Sequence, residues 1–464
     1  MSFQTTLLQE LTFPQSNTRK YILSITKPQL PSDLNVSNVV VNLDTSGSMS
    51  GDPFRMATEG TELFIRDKSL SSDNTVSIFG FSNVVNCVLP PTKIGLESVQ
   101  GSVENRDSMV QALKTLIVGG TTNIFGVLAD SIKALESAEQ SKPCHIVLLS
   151  DGQHNAKTHH TRDTVVKYAN EKNVIIHCIG SQGHDTELMS YLAQETKGLY
   201  ISITNFEQLA SVIGTVVDCI QTYESKDLTI NLTLLNNAKF VKANTVSSFP
   251  VDTLESNSSD NTMNINIGKF CRGETKEFAF TVQYSDMCPV FDDKSIVYNI
   301  HCTSIKSKTS QCQSSILSPI GSVAVSSEVD NKKYVPEYCI KMLNIITAKA
   351  MGKAQKMNQR NAIAHLESTI LEITGYFEDY KSVIKQEQLD LIIQDILASI
   401  NDLKKNNYDS FNTTAISYSS QTPSVACVVA PSDRMTSVSA MRSITSTQKA
   451  EDYERSKQIM RGHP

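Results

Sequence analysis

Residues 44–52 read DTSGSMSGD and follow directly on the apolar run VVVNL. The stretch supplies a carboxylate at Asp44 and hydroxyls at Ser46 and Ser48, with Gly47 between them. Two later stretches carry groups of the same kind. VGGTTNIFG sets Thr121, Thr122 and Asn123 behind Gly119 and Gly120, where a helical pattern begins, and LLSDGQ sets Asp151 just beyond the run HIVLLS. With one threonine counted from the second stretch, the three offer two carboxylates and three hydroxyls, and neither imidazole nor thiolate. An all-oxygen donor set selects a hard divalent cation, Mg2+ or Mn2+. Alternate side chains of an extended segment share a side, so Asp44, Ser46 and Ser48 are expected to aim three oxygens together. Gly47 lets the chain curl around the ion. Hydroxyl ligands are neutral and leave the cation much of its charge, so a carboxylate from another molecule could complete the coordination sphere.

Each stretch also has a plainer reading. Alone, DTSGS reads more readily as a polar turn, and it is the company of the other two that argues for a site. LDTSG behind a strand has the outline of an aspartyl-phosphate enzyme, but the second Asp that such enzymes use as general acid is replaced here by Ser46. GGTT lacks the Gly-Lys-Ser/Thr ending of a phosphate-cradling loop. His154, His159 and His160 cluster in DGQHNAKTHHTRD without a carboxylate or thiol at zinc-ligand spacing, which fits an exposed loop leading into a helix. His145 and His177 sit inside apolar runs and read as core histidines. Asp185 reads as the cap of a following helix, with Glu187 near its positive end.

The groups need elements to hold them. Between residues 36 and 222 the runs NVVVNL, TVSIFGFS, HIVLLS, NVIIHCIG and GLYISIT alternate with amphipathic stretches such as FRMATEGTELFIRD and NIFGVLADSIKALESA. Short strands, apolar on both faces and separated by helices, give an α/β domain with a doubly wound, mostly parallel sheet. All three polar stretches then fall at strand C-ends, the edge where open α/β sheets bind ligands. From residue 223 to 330 the period becomes two, as in LTINLTLL and in EFAFTVQY, where Phe278, Phe280, Val282 and Tyr284 share a face. That pattern gives antiparallel strands with one dry and one wet face, packed as a β-sandwich. RKYILSITK, within residues 1–35, has the same period and is expected to pair with those strands, so that the α/β domain is an insertion. Residues 331–408 have a helical period, with Ile363, Leu366, Ile370, Ile373 and Phe377 on one stripe and Leu389, Ile393, Ile396, Ile400 and Leu403 on another. A helical hairpin or bundle burying these stripes is expected, and self-association through helices 334–407 is the alternative. Residues 409–464 are rich in Ser, Thr, Gln and Met and are expected to be a disordered tail.

DTSGS resembles the DxSxS sequence of the von Willebrand factor A family and its metal-ion-dependent adhesion site, and GGTTN and SDG resemble that family's threonine and aspartate loops. The resemblance covers about residues 36–222. It implies that Ser46, Ser48 and Thr122 ligate a metal, with Asp44 and Asp151 assisting directly or through water, and that the partner is a protein offering a carboxylate. Thr122 is favoured because TNI after the glycines matches the family's pattern, and Thr121 stays open. A looser likeness extends to intracellular proteins of plants, protists and bacteria that carry this domain before a strand-rich module and helices. Some plant members are ubiquitin ligases with a ring finger ahead of the domain, and without such a finger ligase activity does not carry over.

Composition narrows the alternatives. With 42 basic and 48 acidic residues the net charge is −6, which gives no reason to expect nucleic-acid or anionic-membrane binding. The N-terminus lacks a basic n-region and an apolar h-region, and no stretch is long enough to span a membrane. Ten cysteines stand singly with no CxxC pair, and several fall in apolar strands, as buried thiols of a reducing compartment would. The expectation is a non-enzymatic, intracellular, cytoplasmic protein that binds partners through a metal. A scaffold or adaptor of ubiquitin-related complexes acting through its helices is the second reading, and a metal-dependent hydrolase the third.

Overall fold

The structure, a computed structural model, describes residues 3–9, 18–29, 34–67, 70–95, 105–139, 141–181, 184–203, 209–235, 238–241, 246–247, 254–255, 261–284, 296–303, 310–317, 328–354, 357–380, 385–405 and 411. These fall into two compact units, one within Leu30–Tyr223 and the other within Met1–Gln29, Glu224–Ser304 and Lys308–Arg442. The tail from residue 409 therefore lies outside the described residues except for Phe411.

The chain begins with an antiparallel pair, β1 (Gln4–Gln9) and β2 (Thr18–Thr26). It then builds the α/β unit from β3 (Asn38–Asp44), α1 (Asp52–Arg66), β4 (Thr75–Phe81), β5 (Val85–Lys93), α2 (Arg106–Leu113), α3 (Ile124–Glu136), β6 (Cys144–Ser150), α4 (Arg162–Glu171), β7 (Val174–Gly180), α5 (Thr186–Glu195), β8 (Tyr200–Ser202) and α6 (Leu209–Thr222). The sheet order is β5-β4-β3-β6-β7-β8, parallel except for β5. Strands β3, β6 and β7 are buried along their whole length, as valine- and isoleucine-rich strands covered on both faces must be. The strand order reverses at β3 and β6, so the switch point lies between the strands that carry Asp44 and precede Asp151. Asp185 caps α5 by accepting from Leu188 N at 2.9 Å, with Glu187 in the first turn. His145 and His177 are fully buried, and their rings meet at 3.0 Å between Nδ1 and Nε2.

The other unit resumes with β9 (Tyr223–Leu234), β10 (Lys239–Phe240), β11 (Val246–Ser247), β12 (Leu254–Glu255), β13 (Thr262–Cys271), β14 (Thr275–Gln283), β15 (Ile296–Thr303) and β16 (Ser310–Leu317). One sheet runs β1-β2-β14-β10 with β11 also on β14, and the other runs β12-β13-β9-β15-β16. Leu23 of β2 is opposite Phe278 of β14, so the N-terminal hairpin completes a sheet whose other strands follow the α/β unit in sequence. A single core joins the facing sides, with Tyr21, Leu23, Phe278 and Phe280 from one sheet and Leu228, Ile230, Ile265 and Tyr298 from the other. The alternation of β9 is as its sequence suggests.

The reverse side of β2 and β14 is a correction to the expectation of one wet face. It is covered by α7 (Glu328–Ala354), so that Ile22 and Ala279 belong to a second core with Tyr338, Leu343 and Met351. Helices α8 (Gln359–Tyr380) and α9 (Gln386–Lys404) complete that core, with Leu366, Ile373, Phe377, Leu389, Ile396, Ile400 and Leu403 buried and Ile363, Ile370 and Ile393 partly so. The two stripes face inward. Polar residues on this side of the sheet are buried too, and the Lys341 ammonium of α7 reaches Glu277 and, at 3.0 Å, Ser24. No described helix is long and apolar enough to cross a membrane.

Candidate metal centre

Parallel register sets the geometry. Leu43 pairs with Leu149, so the next residues, Asp44 and Ser150, end their strands side by side. Ser150 Oγ donates to Asp44 Oδ2, while Asp44 Oδ1 accepts from Ser46 N at 2.8 Å. Ser48 Oγ donates to Asp151 Oδ1 at 2.9 Å and lies 3.1 Å from Ser46 Oγ. The Ser46 and Ser48 hydroxyls thus stand together between the two carboxylates.

The DTSGS loop is not extended throughout, which corrects the expected geometry. Ser46 is extended, but Gly47–Met49 forms one 3-10 turn. The cause is Met49, which is fully buried and pulls the loop back onto the domain. The two serine oxygens still converge, through the turn rather than through strand alternation.

Thr122 arrives from the third side. Gly119 N donates to Thr45 O at 2.7 Å and Gly47 N to Gly120 O at 3.1 Å, which pins this loop against the first. Gly120 has φ +90°, a backbone conformation that favours glycine. Thr122 Oγ1 lies so near Gly152 that a Cβ on that residue would be 2.9 Å away, beside Asp151. Thr122 is buried, whereas Thr121 is exposed. Asn123 caps α3 by accepting from Gly126 N at 3.0 Å. The structure therefore brings Asp44, Ser46, Ser48, Thr122 and Asp151 together at one edge of the sheet.

Two supporting residues escaped the sequence reading. Ser150 holds Asp44 and accepts from Gly152 N at 3.2 Å. Asn155 clamps Thr122 from both sides, with its Oδ1 accepting from Thr122 N at 2.8 Å and its N donating to Thr122 O at 3.1 Å. Ser150 was legible only as the residue before Asp151; Asn155 had no sequence signal. The histidines pair with other rings: His154 lies against Phe125, tilted, with ring centroids 4.1 Å apart, and His159 against His160. Among the described residues no three of His, Cys, Asp and Glu are grouped to hold a metal.

The electrostatics favour a cation. Burial pushes the Asp44 carboxyl up, against the hydrogen bonds from Ser150 and Ser46, and the charge of Asp151 pushes it further. Asp151 is raised by burial too, with the Ser48 hydrogen bond opposing. Among the described residues neither carboxylate has a Lys or Arg ion-pair partner. Two crowded, desolvated carboxylates fringed by three hydroxyls are a donor set that fits a small hard dication.

The sequence profile of the von Willebrand factor type A domain matches residues 38–215. A von Willebrand factor A domain-containing protein of Dictyostelium discoideum is 27% identical over 175 residues, which cover 37% of this chain and 18% of that protein. An uncharacterized protein of Synechocystis sp. is 25% identical over 196 residues, 41% of this chain and 43% of the relative. These matches span less than half the length of either relative. The solved structure of a von Willebrand factor type A protein from Catenulispora acidiphila shares the fold, with a TM-score of 0.51 at 13% identity, over 84% of this chain and 88% of that one.

Proposed function

Since residues 38–215 form a von Willebrand factor type A domain, a protein-interaction module, we propose that this chain binds an acidic side chain of a partner protein through a divalent cation. The observation that carries this reading is the hydrogen-bonded line from Ser46 through Ser48 to Asp151, closed on the other side by Asp44. Ser46, Ser48 and Thr122 would hold Mg2+ or Mn2+ through hydroxyl oxygens, with Asp44 and Asp151 assisting directly or through water. When bound, the cation supplies an electrophilic position that a partner's carboxylate can fill. The chain's own residues do the rest. Ser150 and Ser46 N orient Asp44, Asn155 holds Thr122 in place, and Asp151 fixes the Ser48 hydroxyl. The role is binding rather than turnover.

Retention of proteins from a lysate on immobilised full-length chain tests the reading. Proteins that bind in Mg2+, are released by EDTA and are not retained by Ser48→Ala are the expected result. The same proteins on both columns, indifferent to EDTA, would end it. The two threonines separate cleanly: Thr122→Ala should weaken Mn2+ binding about tenfold or more, while the exposed Thr121→Ala leaves it within about twofold, measured by equilibrium dialysis.

Acid should release the metal early. Protons compete for carboxylates whose ionisation is pushed up, so affinity is full well above the raised values of Asp44 and Asp151 and falls as pH drops through them. The loss therefore begins above the ordinary carboxylate value of 3.8. A dialysis series from neutral pH downward checks this, and affinity that stays flat until the ordinary carboxylate range contradicts it.

A further inference from the structure

In the α/β unit, the described residues leave large apolar side chains open to solvent at two positions, Val84 at 64% and Ile117 at 85% exposure. Both stand beside the candidate metal centre. Val84 is three residues past Phe81, whose carbonyl accepts from Thr45 N at 2.8 Å, and Ile117 is two residues before Gly119, whose N donates to Thr45 O. Thr45 lies between Asp44 and Ser46. Three residues of chain reach roughly 10 Å at most, so both apolar groups lie within a short peptide's span of the site. The two loops run close to each other, since a Cβ on Gly120 would lie 3.4 Å from Ser82 Cβ.

The same loops are uncharged. Residues 82–88 read SNVVNCV and residues 115–123 read TLIVGGTTN, sixteen positions without an Asp, Glu, Lys or Arg in a chain that is 19% charged. An approaching carboxylate meets no like charge there and no competing ammonium, so its attraction is left to the ion. An apolar, neutral surface beside a cation position suits a ligand with an acid and a greasy group close together.

We propose that Val84 and Ile117 form the apolar half of this docking surface, and that the partner is a protein segment whose Asp or Glu has an aliphatic or aromatic residue within one or two positions. The inference rests on the metal-dependent reading above. It makes these two side chains determinants of which acidic segment is selected.

The test is an array of synthetic hexapeptides with one central Asp or Glu and varied neighbours, probed with full-length chain in Mn2+ and again in EDTA. Wild type should show EDTA-sensitive binding enriched in peptides with apolar neighbours. In Val84→Ser with Ile117→Ser, both exposed positions, the enrichment should vanish and those peptides should bind about tenfold more weakly, with the melting temperature unchanged. EDTA-sensitive binding with no apolar preference, or a preference the double variant keeps, overturns this inference and leaves the metal reading standing. Absence of any EDTA-sensitive binding that Ser48→Ala also removes overturns the metal reading, and the inference with it.

Discussion

Asp44→Asn is expected to stabilise the chelator-treated protein and to abolish the rise in melting temperature that Mg2+ or Mn2+ gives the wild type. Asp44 is fully buried, and its ionisation is opposed by burial and by Asp151. A carboxyl raised in the fold contributes stability that is complete below its unfolded value, ordinarily 3.8, and is lost as pH rises through the folded value. At neutral pH the metal-free wild type therefore carries the full disadvantage of the anion. Asparagine keeps the shape: its Oδ1 can accept from Ser46 N, and its amide can donate to Ser150 Oγ. The metal effect has the opposite sign and is larger. Cation at a hundredfold above its Kd stabilises the wild type by about 2.7 kcal/mol, or roughly 5–10 °C for a domain of this size. Scanning fluorimetry of both proteins, with EDTA and with Mg2+, resolves the two signs. Equal metal responses would remove Asp44 from the site.

The second large effect is expected at the sheet that α7 covers. Lys341→Met should cost about 3 kcal/mol at neutral pH, because it takes away the ammonium facing Glu277, a side chain only 6% exposed. Glu277→Ala should cost less, since Lys341 is 19% exposed at its side chain and can extend its ammonium toward water. Replacing both, Glu277→Leu with Lys341→Met, should come close to wild-type stability, because neither charge is then left in the apolar layer. Urea midpoints at pH 7 check the order. A double variant as weak as Lys341→Met would show that the pair itself, and not its desolvation, holds α7.

What the sequence made legible follows from burial. Strands β3, β6 and β7 are covered on both faces and so are written as unbroken apolar runs. β5 has no such run: VNCVLPPTK is an edge strand, where Pro90 and Pro91 are tolerated because one side of the ladder is unpaired. Helix α2, with Arg106 turned inward to the carbonyls of Asp67 and Leu70, was hidden by a buried charge in place of an apolar residue. The polar side of β14 looked solvated because it carries Glu277 and Thr281, and only the fold shows that α7 covers it. At the site, the oxygen-bearing residues were legible from type and spacing. The 3-10 turn at Gly47–Met49 was not, since the burial of Met49 depends on the rest of the domain. Ser150 and Asn155 act through hydrogen bonds between loops distant in sequence, which no local spacing encodes.

The most direct test of the central claim is calorimetric titration of Mn2+ into the full-length chain and into Asp44→Asn. One saturable binding event per chain in the wild type, absent from the variant, is the expected outcome. Heats that match in the two proteins, or no saturable event in either, would contradict the claim that these five side chains hold a cation.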